Sequence, residues 1–354
     1  MRGNTAPRAI ACTARTLITH GVLALACAQG AMAQERQLQT PGPAGPLGGT
    51  LRMAQVPEAP VPTNVSAAVA ATLAPQPAPA VLIIPGSGPT DRDGNSPAGI
   101  RASTYRLLAE ALAQQNISSL RIDKRGLFGS SAAVADPNAV TIADYATDVR
   151  NWIAPLREAT AAPCIWLLGH SEGGVVALAA GQGLPPDICG LILVATPGRP
   201  LGQVLREQFR TNPANAPLLD QALAAIDALE AGRRVDTGAM HPALASIFHP
   251  SVQGYLMNTF PLDPAVLIAG TRLPVLILQG ERDIQVSVTD AQRLQQAQQR
   301  AKLVFLPSAN HVLKQVTSDD RNANMSTYVV TDLPLAGGVV RAITEFIEAN
   351  TPRR

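Results

Sequence analysis

The stretch Ile165-Trp166-Leu167-Leu168-Gly169-His170-Ser171-Glu172-Gly173-Gly174-Val175-Val176-Ala177-Leu178 constrains this chain more than any other. A short apolar run ends at Gly169, a polar tripeptide follows, and two glycines open a second apolar run. A buried strand, a sharp turn and a helix fit that order. Gly169-His170-Ser171-Glu172-Gly173 reads G-x-S-x-G, the pattern of a nucleophile elbow. Ser171 must then sit on a strained turn with its hydroxyl off the sheet edge. Backbone and helix crowd that turn from both sides, so glycines are needed two residues before and after it.

The rest of the chain supplies the sheet that such an elbow needs. Glu35–Thr40 and Leu47–Met53 flank a Gly/Pro-rich turn and read as a hairpin. Apolar runs at Val81–Ile84, Ile117–Ile122, Ile165–Leu168, Leu191–Ala195, Val275–Leu278 and Lys302–Leu306 read as strands. Helical spacing appears at Thr104–Gln115, at Tyr145–Glu158, where Pro155 is expected to kink or shorten the helix, at Thr289–Arg300 and at Gly338–Asn350. From Arg199 to Arg272 no strand-like run occurs, and Leu201–Arg210 and Leu218–Leu229 read as helices. The expected fold is α/β: an eight-stranded, mostly parallel sheet with helices on both faces and a helical cap inserted after strand six. Its functional loops should lie at the carboxyl ends of the strands.

The expected domain order is a signal peptide over 1–33, a first core part over 34–198, a cap over 199–272 and a second core part over 273–354. The first core part carries an Ala/Pro-rich loop at 57–79. Arg2, Arg8 and Arg15 precede or enter an apolar segment ending in Ala31-Met32-Ala33, so cleavage is expected after Ala33 and the mature protein in the periplasm or outside the cell. Those 33 residues hold three of the 28 basic residues and none of the 26 acidic ones, which leaves 25 against 26 and a mature net charge of −1. That balance argues against a nucleic-acid binder driven by phosphate contacts. No later run is long enough to span a bilayer. Cys164 and Cys189 remain after cleavage, each at the start of a strand-like run. They form a disulfide or stay two buried thiols according to whether their Cα atoms come within about 7 Å.

A serine hydroxyl needs a base to take its proton during attack. Of the five histidines, His20 leaves with the signal, His170 sits on the elbow where its ring cannot easily turn onto Ser171, and His241 and His249 lie in the cap. His311 follows the last strand and is the expected base. Asp283 follows the Val275–Leu278 strand, 28 residues before His311, and is the expected partner of its imidazole; Glu281 is the rival in the same loop. The order Ser171, Asp283, His311 suits a triad on such a sheet. The oxyanion donors are expected to be the backbone N–H of Glu172, opening the elbow helix, and of Ser87, in the Pro85-Gly86-Ser87-Gly88 loop. Neither a G-x-x-x-x-G-K-[ST] phosphate loop nor a G-x-G-x-x-G turn before a helix is present, and no H-E-x-x-H or paired C-x-x-C suggests a metal. No cofactor is called for.

With these residues assembled, the chain resembles the α/β-hydrolase superfamily. Pro85-Gly86-Ser87-Gly88-Pro89-Thr90-Asp91-Arg92-Asp93-Gly94 is similar to a segment of secreted serine esterases near the dienelactone-hydrolase and serine-aminopeptidase-like families. The resemblance covers roughly residues 35–350 and implies a triad at Ser171, Asp283 and His311 and a cap at 199–272. Asp91, Arg92, Asp93, Asp123 and Arg125 read as structural charge networks around the pocket. The expected activity is hydrolysis of small-molecule carboxylic esters of short to medium acyl chain through an acyl-enzyme. Phe248, Tyr255, Met257 and Phe260 of the cap are candidates for the acyl pocket. Peptidase, thioesterase and acyltransferase activities of the same fold are alternatives, as is a non-catalytic secreted binding protein, which would lack a fluorophosphonate-reactive Ser171.

Overall fold

Alternation with period two builds the centre of the molecule. The computed structural model describes residues 35–55, 77–136, 139–183 and 185–351. The expected signal peptide and most of the Ala/Pro-rich loop fall outside the described residues. Eight strands form one sheet: β1 (Glu35–Pro41), β2 (Pro46–Arg52), β3 (Ala80–Ile84), β4 (Ser118–Ile122), β5 (Ile165–His170), β6 (Ile188–Val194), β7 (Val275–Gly280) and β8 (Lys302–Leu306). Their order across the sheet is β1-β2-β4-β3-β5-β6-β7-β8. β1 and β2 pair antiparallel, β2 meets β4 antiparallel, and every later neighbour is parallel. In β3, Leu82 and Ile84 enter one apolar cluster while Val81 and Ile83 enter another on the opposite face. Leu167 and Leu168 of β5 divide the same way. Both faces of a parallel sheet are thus covered, which explains why these strands read as continuous apolar runs.

Helices α1 (Thr104–Gln114), α2 (Ile142–Thr160), α3 (Glu172–Ala180), α9 (Val288–Ala297) and α11 (Val339–Asn350) belong to the sheet layers. Thr141 starts α2 with a reciprocal capping box to Asp144. Pro155 does not shorten α2, which continues through it to Thr160. Proline cannot donate to the carbonyl four residues back, at Asn151. Thr40 Oγ1 of β1 donates to that oxygen instead, at 3.3 Å. The face burying Val149, Trp152, Ile153 and Leu156 supplies the rest of the helix's hold.

Cys164 and Cys189, at the amino-terminal ends of the neighbouring strands β5 and β6, are joined by a disulfide with Cα atoms 5.2 Å apart.

Between β6 and β7 the chain forms α4 (Leu201–Thr211), α5 (Leu219–Glu230), α6 (Pro242–Ile247), α7 (Pro250–Thr259) and α8 (Pro264–Ala269). The last three begin with proline at the first helical turn, each after a capping side chain: His241, His249 and Asp263 accept from the N–H two residues on. The insertion has its own apolar cluster, including Phe209, Ile226, Leu244, Phe248 and Phe260. Helix α10 (Arg321–Ser326) follows β8. Among the described residues no helix is long and apolar enough to cross a membrane.

Candidate active site

The site sits at the carboxyl ends of β3, β5, β7 and β8. Strand β5 ends at His170 and α3 begins at Glu172, so Ser171 alone makes the turn. Its backbone takes φ 55° and ψ −123°, a conformation that costs a non-glycine residue about 1–3 kcal/mol. The flanking glycines are required by close approach. A Cβ on Gly169 would run into the Gly173 carbonyl, and one on Gly173 into the carbonyls of Ile84 and Pro85.

Asp283 and His311 meet across the ends of β7 and β8. His311 Nδ1 lies 2.7 Å from Asp283 Oδ2, and the Asp283 side chain is fully buried. The other carboxylate oxygen, Oδ1, accepts from the N–H groups of Gln285 at 2.7 Å and Val286 at 2.9 Å. The carboxylate therefore cannot rotate freely, and His311 is held with Nδ1 as donor. Glu281 is exposed. Asp290 is committed elsewhere, to the α9 capping box and to Arg199. The loop that carries His311 is organised by Asn310, which is buried and bonds Asn324, Thr327 and the N–H of Lys314. Ser171 and His311 line one small pocket of about 70 Å³ together with Gly86, Ser87, Tyr105 and His170. Among the described residues Ser171 Oγ makes no hydrogen bond to His311; such contacts commonly tighten only when substrate binds.

His170 ties three of these loops together. The Gly86 N–H donates to Tyr105 Oη at 3.0 Å, and Tyr105 Oη lies 2.9 Å from His170 Nδ1. Because the tyrosine oxygen already accepts, its proton goes to Nδ1, and His170 Nε2–H donates to the His311 carbonyl at 2.8 Å. This neutral tautomer agrees with the burial of the ring, which pushes its pKa down to about 3, with the neighbouring His311 contributing in the same direction. The unfolded chain takes up this proton near pH 6.5, whereas the folded chain refuses it until about pH 3. Stability from His170 is thus full above pH 6.5 and declines as pH falls toward 3, by a few kcal/mol in total. Urea unfolding at a series of pH values should show that decline, and His170→Gln should flatten it.

The expected oxyanion donors face no competing partner. The Ser87 N–H has no hydrogen bond among the described residues, and Ser87 lines the pocket. Glu172 occupies the first position of α3, where a backbone N–H has no intrahelical acceptor. Gly86, which precedes Ser87, is close enough to the elbow that a Cβ on it would lie 3.2 Å from Ser171 Cβ.

Beside this pocket lies a larger cleft of about 580 Å³, which shares Ile100 and Gln285 as walls. Leu205, Phe209, Ile247, Ile284 and Met325 give it apolar surface. The four cap residues proposed from the sequence as pocket lining are placed differently. Phe248 and Phe260 are buried in the insertion's own cluster, and Met257 packs against that cluster. Tyr255 packs edge-on against Tyr145, with ring centroids 6.1 Å apart. None of the four lines the pocket or the cleft. Amphipathic helices explain the difference: the face each side chain takes, not its size, decides whether it closes the helix–helix core, as Phe248 does, or reaches the cleft, as Ile247 and Phe209 do.

The charged residues of the 85–94 segment form supports behind the site. Arg92 binds Asp123 through Nε and Nη2, at 2.9 and 2.5 Å. Arg121 joins Asp93 and Glu35, while Arg125 grips Asp148 with two nitrogens. Asp91 Oδ1 accepts from the N–H groups of Asp93 and Asn95, folding the loop onto itself. Sequence reasoning missed Tyr105, Asn310 and Lys124. The signal for Lys124 was its place in Asp123-Lys124-Arg125, directly after a strand end; Tyr105 gave none beyond an apolar helix face.

Taken together, the sheet order, the elbow and the loops at the strand ends define an α/β hydrolase. The profile of the Alpha/beta hydrolase family matches residues 80–319, and the chain belongs to that family. It is 25% identical over 242 residues to Esterase EstD of Thermotoga maritima, a match that spans 67% of this chain and 55% of that protein. The chain therefore spans about half the length of this curated relative. Among solved structures, Est1E from Butyrivibrio proteoclasticus superposes with a TM-score of 0.51 at 16% identity, covering 89% of this chain and 98% of that one. A puromycin-hydrolyzing peptidase of Mycobacterium tuberculosis gives 0.54 at 15% identity over 92% of this chain and 40% of that one. At these identities the likeness is one of fold.

Proposed function

We propose that the protein is a serine esterase that cleaves small carboxylic esters through an acyl-enzyme. The observation that carries this reading is the buried Asp283–His311 pair opening into the same pocket as a serine held at positive φ. Ser171 Oγ attacks the ester carbonyl while His311 Nε2 takes its proton. The Ser87 and Glu172 N–H groups receive the oxyanion. His311 returns the proton to the leaving alcohol, and the same sequence with water releases the acid. The name of the relative from Thermotoga maritima supports ester rather than peptide substrates. The adjoining cleft supports a substrate with one apolar arm of short to medium length. The Cys164–Cys189 disulfide supports an oxidising compartment, in keeping with a mature protein in the periplasm or outside the cell.

The test is hydrolysis of a p-nitrophenyl ester series from acetate to palmitate. Turnover should peak at a short or medium chain, and a fluorophosphonate should modify Ser171 alone. Absence of both turnover and labelling in folded protein would remove the serine mechanism.

A further inference from the structure

The ammonium of Lys124 is a buried charge that this chemistry does not use. Lys124 follows β4 and is 5% exposed. Its surroundings are fully accounted for: the Gly86 carbonyl at 2.6 Å, Glu172 Oε1 at 3.5 Å and the Tyr145 ring with its centroid at 5.4 Å. Burying an ammonium costs several kcal/mol before its partners compensate. Burial pulls its pKa down, and Glu172 only partly opposes this. A lysine present merely to neutralise Glu172 would sit closest to that carboxylate. Here the short contact is to a neutral carbonyl instead.

That carbonyl belongs to the same peptide unit as the Ser87 N–H. In a trans peptide the C=O and N–H point in opposite directions. A donor fixed on the Gly86 oxygen from inside the protein therefore turns the Ser87 N–H the other way, toward the pocket that Ser87 lines and Lys124 does not. The preceding peptide is fastened as well, by the Gly86 N–H on Tyr105 Oη. With both peptides held, the plane between Gly86 and Ser87 has little freedom to swing. A cation on the carbonyl oxygen also polarises the peptide and strengthens its N–H as a donor.

We propose that Lys124 is a positioning residue that fixes and polarises the Gly86–Ser87 peptide, so that the Ser87 N–H is aimed at the oxyanion formed when Ser171 attacks. The assignment rests on the serine esterase reading above. Lys124 touches neither substrate nor nucleophile and acts through the peptide alone.

The experiment compares the wild-type protein with Lys124→Met and Lys124→Gln, with active sites counted by fluorophosphonate labelling. Lys124→Met should lower kcat per labelled site about 100-fold, as loss of one oxyanion donor does. KM should stay within about threefold, because the ester is held elsewhere. Lys124→Gln keeps an N–H donor without the charge and should fall between the two. Affinity for a trifluoromethyl ketone, which forms the same oxyanion on Ser171, should drop in proportion to kcat/KM across the series. A purely structural role would reduce the number of labelled sites and leave kcat per site alone. Should Lys124→Met fail to fold, Lys124→Gln and the ketone affinity carry the same comparison. If the wild-type protein labels and turns over but the variants stay within about threefold of its rate per site, the assignment is overturned while the esterase reading stands. If the wild-type protein neither labels nor turns over, both fall.

Discussion

Replacing Ser171 with alanine should lower kcat for ester hydrolysis by about a million-fold, and replacing His311 with alanine should do nearly the same. Each removal ends the same event, transfer of the serine proton as the new bond forms, so the double variant is hardly worse than either single one. KM should change little, because the proposed reading spreads substrate contact over the cleft walls, Ile100, Leu205 and Ile284 among them. The rate expected to remain above water is that of the proposed oxyanion donors, the Ser87 and Glu172 N–H groups, roughly a thousand-fold or more in comparable sites. Stability should not fall with Ser171→Ala. Oγ has no hydrogen bond to lose among the described residues, and the positive φ is retained by alanine at similar cost. The measurement is steady-state hydrolysis of a p-nitrophenyl ester with fluorophosphonate-titrated protein. An alanine variant that keeps a tenth of the rate would move the nucleophile away from Ser171.

The fold could be read because its strands are covered on both faces. Leu82 and Val81, or Leu167 and Leu168, are each buried on opposite sides of one sheet, so these segments announce themselves as unbroken apolar runs. The candidate site was readable for a related reason. Ser171, Asp283 and His311 each follow such a run within a few residues, and a parallel sheet gathers its strand ends along one edge. What could not be read depends on side-chain direction. Phe248 and Ile247 are adjacent in sequence, yet one is buried in the insertion's core and the other lines the cleft. Composition does not distinguish those two faces. Tyr105 and Lys124 are harder still. Both meet the backbone of Gly86, Tyr105 accepting from its N–H and Lys124 donating to its carbonyl, and a backbone partner leaves no trace in the sequence. Pro155 shows the same limit from the other side, since the hydroxyl that compensates for it comes from Thr40, on another element.

Asp283→Asn should lower kcat by about 10,000-fold with the fold intact. The reason lies in how the carboxylate is tethered. Oδ1 accepts from the N–H groups of Gln285 and Val286, and Oδ2 faces His311 Nδ1. An asparagine must keep its oxygen on the two backbone donors, because reversing it would set an NH2 group against both of them. Its NH2 is then turned to His311, where it demands a lone pair on Nδ1. The imidazole answers by moving its proton to Nε2, the nitrogen that has to receive the proton of Ser171. The variant therefore holds its base in the wrong tautomer, with nearly unchanged shape. Asp283→Ala is a poorer test, since it leaves the Gln285 and Val286 N–H groups without their acceptor and adds instability to the loss of rate. Glu281→Gln is the matched control: Glu281 shares the loop but is exposed, and its rate should stay within about twofold of wild type. The check is kcat for an ester substrate in both variants, with thermal unfolding to show that Asp283→Asn is folded. A folded Asp283→Asn protein within tenfold of wild type would remove Asp283 from the mechanism, and a collapse in Glu281→Gln instead would hand its role to Glu281.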